Sequence, residues 1–450
     1  MKKLRSLTEG SLAKGIFWFS LPLVFSNLLQ VLFNMSDIAV VGQFAGSDAL
    51  GSVGSTATLV ALFTGFLIGV GSGVNVIVAR FYGARQPEEV EKTVHTAAVL
   101  CLAVGLVIMG VGLILTRPLL LLLNTKQELI DGAALYLRIY FLGMPALALY
   151  NFGSGVLSAV GDTRRPLFFL AISGVVNVLL NLFFVIVCRL SVAGVAIASV
   201  ISMYISAVLV LLSLSGSVEE YGLRRRKLRI DRDRARQLLS IGLPAGLQNA
   251  IFQIANLFIQ AGVNSFDATV VSGNAAAINA DTLIFDIMTA FYTAGSSFMS
   301  QNYGAGKRER VKKSYFISLA YSFGVGALLG NGLALGGEFF LSLFTSDSAV
   351  VAAGMGRLTV MGHAYWISAF MDCTIAASRG LGKSLVPTII VVLGSCVFRV
   401  IWVYTVFAHF HTIYSLYLLY AFSWSITSIA EIAYFIRCYR KTFPKLEVKA

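Results

Sequence analysis

The chain has 450 residues, 57% of them apolar and only 13% charged, with a formal net charge of +13. An ordinary soluble domain carries about 25% charged residues, so a water-soluble globule is excluded. The basic excess lies in short segments between long apolar blocks, which marks membrane topology and argues against nucleic-acid binding. The five cysteines (Cys101, Cys188, Cys373, Cys396 and Cys438) form no CxxC pair. They read as small hydrophobes, neither a disulfide framework nor a metal centre.

In chain order, residues 1–14 are basic and no cleavage site follows them, so a cytoplasmic tail is expected. Helix 1 (15–41) carries Asn27, Gln30, Asn34 and Asp37, which fall within about 80° of arc at helical spacing. A charge at mid-bilayer costs ~2.5–3.5 kcal/mol, so this stripe must face protein or water. Interhelical hydrogen bonding is the plain alternative for the amides, whereas Asp37 calls for a function. Helix 2 (50–80) is rich in glycine, which suits close packing. Helices 3 (93–116) and 4 (132–158) are apolar. Helix 5 (165–188) places Ser173, Asn177 and Asn181 on one face, and helix 6 (192–214) offers Ser199. An acid with amide and hydroxyl oxygens suits Na⁺ binding or proton exchange with water.

The polar segment 215–236 contains Arg224, Arg225, Arg226 and Lys227 and sits midway. After it, helix 7 (237–264) carries Asn249, Gln253, Asn256 and Gln260 on one face. Helix 8 (269–300) bears Asp281 and Asp286, about 140° apart around the axis; Asn274 shares a face with Asp281, and Asn279 with Asp286. Helix 9 (313–338) is again glycine-rich. Helix 10 (353–378) holds His363, a packing residue in the simplest view, and Asp372. Arg399 in helix 11 (384–408) is expected to neutralise one of these acids, and Glu431 in helix 12 (413–437) to pair with Arg437 near the chain end. Residues 438–450 form a second cytoplasmic tail.

The two halves echo each other at a shift of about 221 residues. Leu21-Pro22…Asn27…Asn34 recurs as Leu243-Pro244…Asn249…Asn256, and YGARQPEEVEK (82–92) recurs as YGAGKRERVKK (303–313) with six of eleven positions identical. A shift of six whole helices preserves the insertion direction, so the lobes 15–214 and 237–437 are expected to be related by a pseudo-two-fold axis along the membrane normal. The prolines free a backbone carbonyl and permit bending, or simply occupy a first turn. Basic residues number 29 on the N-terminal side of the membrane and five on the other (Arg117, Lys126, Arg138, Arg189 and Arg357), which places both termini in the cytoplasm. There is no P-loop, HExxH, GxSxG or dinucleotide fingerprint, so neither an enzyme nor ATP-driven transport is expected.

The motifs NMSDIAVVGQFAG (34–46), ARFYGARQPEEVEK (79–92), GDTRRP (161–166), SQNYGAGKRERV (300–311) and SRGLGKSLVP (378–387) together resemble the multidrug and toxic compound extrusion (MATE) transporters. The resemblance spans essentially the whole chain. It implies an all-α protein of twelve transmembrane helices in two six-helix lobes around a central cavity. The implied activity is antiport of H⁺ or Na⁺ against amphipathic, often cationic, organic compounds. In the family the acid matching Asp37 couples the cation, and the proline matching Pro22 is linked with helix-1 bending. Asn181 stands where many relatives have an aspartate, which leaves the coupling ion open. Ser199 stands where they often have threonine, and Asp372 falls near an acid kept by another branch.

The expected cation-coupling group is therefore Asp37 with Asn34, Asn177, Asn181 and Ser199, and Na⁺ at Asp37 is the only metal candidate. The expected substrate cavity includes Gln30, Asn249, Gln253, Asn256, Asp281, Asp286 and Asp372, with Phe152, Phe285, Met288, Tyr292 and Trp366 as aromatic and thioether lining. Pro22 and Pro244 are the expected bending points. Besides H⁺ or Na⁺ no cofactor is expected. The partners expected are small amphipathic compounds and lipid, with no nucleic acid, for a monomer in a prokaryotic cytoplasmic membrane. A lipid or oligosaccharide flippase of the same architecture is the alternative.

Overall fold

The computed structural model describes residues 6–444 and contains no strand among them. Residues 1–5 and 445–450, the outer parts of the two tails, lie outside the described residues. Twelve helical segments follow in order: α1 (Leu12–Phe44), α2 (Ser47–Gly83), α3 (Pro87–Leu122), α4 (Gln127–Phe141 and Met144–Ala159), α5 (Arg164–Val187) and α6 (Ser191–Ser215). After the linker come α7 (Arg232–Val263), α8 (Ala268–Gly304), α9 (Arg308–Ser342), α10 (Ser348–Gly362 and Tyr365–Gly380), α11 (Leu385–Phe410) and α12 (Ile413–Thr442). Nine are long and apolar enough to cross a bilayer, or ten when the two arms of α4, bent by 46°, count as one span. Of the other two, α8 carries Asn274, Asp281 and Asp286, which lower its apolarity, and α10 is broken into arms of 15 and 16 residues, each too short to span alone.

The internal repeat is written into the secondary structure. Both α2 and α8 have 37 residues, and α4 and α10 each break into arms of 15 and 16. Left-handed residues recur at matching places: Arg85 and Gly306 after α2 and α8, Gly161 and Gly382 before α5 and α11, Arg189 and His411 after them. The turn after α2 and α8 is thus built with a strained arginine, Arg85, in one copy and with glycine, Gly306, in the other. Asp267, Asp347 and Thr412 cap α8, α10 and α12 by accepting from Val270, Ala349 and Ser415 backbone N–H groups. Large apolar side chains such as Leu335, Phe339 and Ile114 are more than three-quarters exposed, which suits contact with lipid.

The chain divides into two compact units. One comprises residues 25–250, the other residues 7–24 and those from 251 onward. The divisions fall inside α1 and α7, shortly after Pro22 and Pro244. In the second unit, Leu7 donates to Gln301 Oε1 at 3.1 Å, Lys307 Nζ donates to the Thr8 carbonyl at 2.9 Å, and Ile16 and Phe19 pack with Ala294 and Phe298. In the first unit, the linker is strapped to α3. The Arg224 N–H donates to His95 Nε2 at 3.0 Å while His95 Nδ1 lies 2.7 Å from the Glu91 carbonyl, so the ring is neutral and carries its proton on Nδ1. Asp231 then caps the start of α7, and the Arg234 and Asp233 N–H groups hold its carboxyl below the usual range.

The glycines of α2 have a specific cause. A Cβ on Gly69 would sit 2.3 Å from Gly246 N and one on Gly73 2.7 Å from Gly242 N, so α2 and the first half of α7 touch backbone to backbone. Gly69→Ala is therefore expected to cost about 1–3 kcal/mol by overpacking. Thermal unfolding in detergent checks this against Gly110→Ala, where a new Cβ meets nothing within 4 Å and no such loss is expected.

Candidate functional site

Asp37 lies half-buried on α1, and the partners that reach it come from α5 and α6. Asn181 Nδ2 donates to Asp37 Oδ1, and Ser199 Oγ donates to Asp37 Oδ2 at 3.3 Å. The same Asn181 amide donates to Asn177 Oδ1 at 3.3 Å, one helical turn away. Ser173, a turn further, bonds back to the Leu170 carbonyl at 3.0 Å and takes no part. Asn181, Asn177 and Ser199 are all buried, and a widened π turn, Phe183–Val187, follows directly after Asn181 on the same helix.

Two features give this cluster its chemistry. Among the described residues Asp37 has no cationic partner within ion-pair distance. Asn181 Oδ1 is fully buried and accepts no hydrogen bond among the described residues. A buried amide oxygen with a spare lone pair beside a carboxylate held only by neutral donors leaves acceptor oxygens that a proton or a small cation could use. Asn34, expected in this group, is exposed and makes no hydrogen bond among the described residues, as is Gln30. Sequence reasoning missed Tyr136 and Tyr140 on α4. Their buried rings stack 5.8 Å apart within electrostatic reach of Asp37. Their i, i+4 spacing was the available signal.

The polar residues of the second repeat do not form a single wall. Arg357, counted from sequence among the basic residues on the far side of the membrane, is 4% exposed and donates from Nε at 2.9 Å and from Nη2 at 2.5 Å to Asp281 Oδ2. Its Nη1 donates to Asn274 Oδ1 at 2.9 Å, and Tyr365 OH donates to Asp281 Oδ1. The rings of Tyr420 and Tyr417 flank the guanidinium at 5.3 and 5.4 Å. Asp281, expected in the cavity, is thus committed to a closed ion pair. Asp286 is half-buried on another face of α8. Asp372 lies on the second arm of α10, within electrostatic reach of Arg379 and Arg399.

Other expectations meet local geometry. Arg399 forms no ion pair among the described residues; its Nε donates to Ser423 Oγ at 3.3 Å. Glu431 is fully buried, neither of its carboxylate oxygens accepts a hydrogen bond, and Arg379 rather than Arg437 is its near cation. His363 Nδ1 bonds the Thr359 carbonyl at 2.6 Å at the break in α10. Asn249 Nδ2 donates to the Gly65 carbonyl at 2.9 Å and fixes α7 to α2. Gln253 is half-buried and Asn256 exposed on the same face of α7. Phe152 and Met288 are fully buried in the cores, so they line no surface; Phe285 and Tyr292 are half-buried and Trp366 is exposed.

The comparisons agree on one family. The sequence profile of MatE matches residues 22–183 and 244–405, one match in each half, at the shift of the internal repeat. The chain is 29% identical over 353 residues to "Probable multidrug resistance protein YpnP" of Bacillus subtilis, covering 78% of this chain and 79% of that one. It is 28% identical over 360 residues to the "FAD transporter" of Shewanella oneidensis, covering 78% of each. Among solved structures, a MOP superfamily transporter from Pyrococcus furiosus, described as having a binding pocket of reverse polarity, aligns with a TM-score of 0.90 at 21% identity. That alignment covers 98% of this chain and 99% of the other. The all-helical fold, the duplicated halves and the match over both of them establish that the chain belongs to the MatE family of multi-pass membrane transporters.

Proposed function

We propose that this chain is a secondary exporter of amphipathic organic compounds, driven by exchange of one H⁺ or Na⁺ at Asp37. The observation that carries the reading is the Asp37 carboxylate, held by Asn181 and Ser199 and lacking any cationic partner among the described residues. In the unloaded state both carboxylate oxygens accept hydrogen bonds. A proton on Asp37 removes the cost of keeping the charge away from water. Turning the Asn181 amide over presents its unused oxygen to the new carboxyl O–H, so one residue serves both states. Na⁺ would instead take oxygens from Asp37, Asn181 and Ser199, with a single carboxylate in the set. Loading therefore changes the charge on α1 by one and biases its packing against α5 and α6, and this differential stability drives the exchange.

The named relatives include a multidrug resistance protein and an FAD transporter, which supports an organic cargo with an aromatic body. Asn256, an exposed amide, is the proposed polar contact to it, joined by Gln253, Asp286, Asp372 and the ring of Trp366. The distribution of basic residues supports a bacterial cytoplasmic membrane with both termini inside. The test is uptake of a panel of amphipathic fluorescent compounds into everted vesicles, with ΔpH and ΔNa⁺ imposed separately. Accumulation driven by one of the gradients without ATP is expected. Accumulation that needs ATP and ignores both gradients would overturn the reading.

A further inference from the structure

Arg399 differs from the other buried guanidinium of its unit. Arg357 is neutralised by Asp281 at 2.5 Å. Arg399 is 3% exposed, yet among the described residues the groups it touches are neutral. These are Ser423 Oγ at 3.3 Å, Asn256 Oδ1 at 3.5 Å, and the rings of Tyr420 and Phe252 at 4.7 and 5.3 Å. Asp372 acts on Arg399 only at longer range and is shared with Arg379, which also faces Glu431. A buried charge is costly without a paired and hydrogen-bonded counter-charge. Of five N–H donors on a guanidinium, Arg399 uses two among the described residues, and the bond to Asn256 is at the outer limit of hydrogen-bond length.

Asn256 is exposed on α7 and Gln253, one turn before it, is half-buried, so one amide side chain stands between the guanidinium and the outside of the helix. Phe252, on the same helix, and Tyr420, on α12, flank the guanidinium. An incoming oxyanion that displaced Asn256 would gain a planar, two-pronged, charge-assisted contact, and an attached ring system would find aromatic faces alongside.

We propose that Arg399, screened by Asn256 and flanked by Phe252 and Tyr420, is the anion-binding element of the export site. The chain then accepts flat aromatic compounds that bear an anionic oxygen group. This deepens the exporter reading and rests on it, and it departs from the cationic cargo that the family resemblance implied.

The test uses the purified full chain in nanodiscs, without an ion gradient, and a matched pair of probes. Riboflavin and riboflavin 5′-phosphate share one ring system and differ by the anionic group. Equilibrium dialysis is expected to show the phosphate bound about tenfold tighter than riboflavin, a difference of about 1.4 kcal/mol. Arg399→Gln should bring that ratio to about one, and Arg399→Lys should keep part of it. Asn256→Asp, which sets a fixed carboxylate before an intact Arg399, should also collapse the ratio and serves if the arginine variants fail to fold. Equal binding by the wild type, or a ratio unchanged in both Arg399→Gln and Asn256→Asp, would overturn the proposal. The exporter reading fails separately: a preserved ratio with no gradient-driven transport refutes that reading alone.

Discussion

Asp37→Asn is expected to lower gradient-driven export on the order of 100-fold while leaving the protein folded, because the acid is the only group of its cluster that can exchange a charge. Asparagine has nearly the shape of aspartate, and its side-chain oxygen can still accept from Asn181 or Ser199, so packing of α1 against α5 and α6 should survive. What disappears is the ability to alternate between a charged and a loaded state. Reconstituted liposomes with an imposed ion gradient give the rate, and thermal unfolding in detergent reports the fold. Asp37→Glu should recover part of the rate, since it restores the charge at the expense of geometry. Wild-type rates from Asp37→Asn would remove this residue from the mechanism.

A second large effect is expected on stability. Arg357→Met leaves Asp281 buried with only Tyr365 to bond it, and an uncompensated buried charge costs about 3–5 kcal/mol. The methionine retains apolar contact with Tyr417 and Tyr420, so lost packing contributes little. The double variant Arg357→Met with Asp281→Leu removes both charges and should recover most of the loss, because replacing a buried pair with apolar groups is often near neutral. Unfolding measured on both single variants and the double variant separates the coupling from the individual losses. Equal stability of Arg357→Met and the wild type would show that the pair is solvated in the native protein.

Helical periodicity made much of this protein legible. Apolar block lengths separated the spans and sequence echoes showed the repeat, while periodicity put Asn177 and Asn181 on the one face of α5 that meets Asp37. The same periodicity put Asn274 and Asp281 on one face of α8, and Arg357 is found bonded to both. It could not show which face of one helix meets which face of the next. Asn34 lies on the same stripe as Asp37 yet points to an exposed side, because the stripe is broader than the contact with α5. Arg357 entered only the count of basic residues on the far side of the membrane, because it lies near the start of α10, where charge counting assigns residues to topology before burial is known. Tyr136 and Tyr140 carry no charge and lie in an apolar span, and their i, i+4 spacing alone does not say which helix they meet. The glycine contact at Gly69 is set by an approach between backbones that no single-helix pattern encodes.

The exchange step is tested most directly by counting the ions that leave when cargo binds. In weakly buffered solution, the purified protein is preloaded at low pH or with Na⁺ and then given a saturating amphipathic compound. Release of about one H⁺ or one Na⁺ per wild-type chain, and none from Asp37→Asn, is the expected result for a single exchanging carboxyl group. Equal release from both proteins would contradict the assignment of that exchange to Asp37.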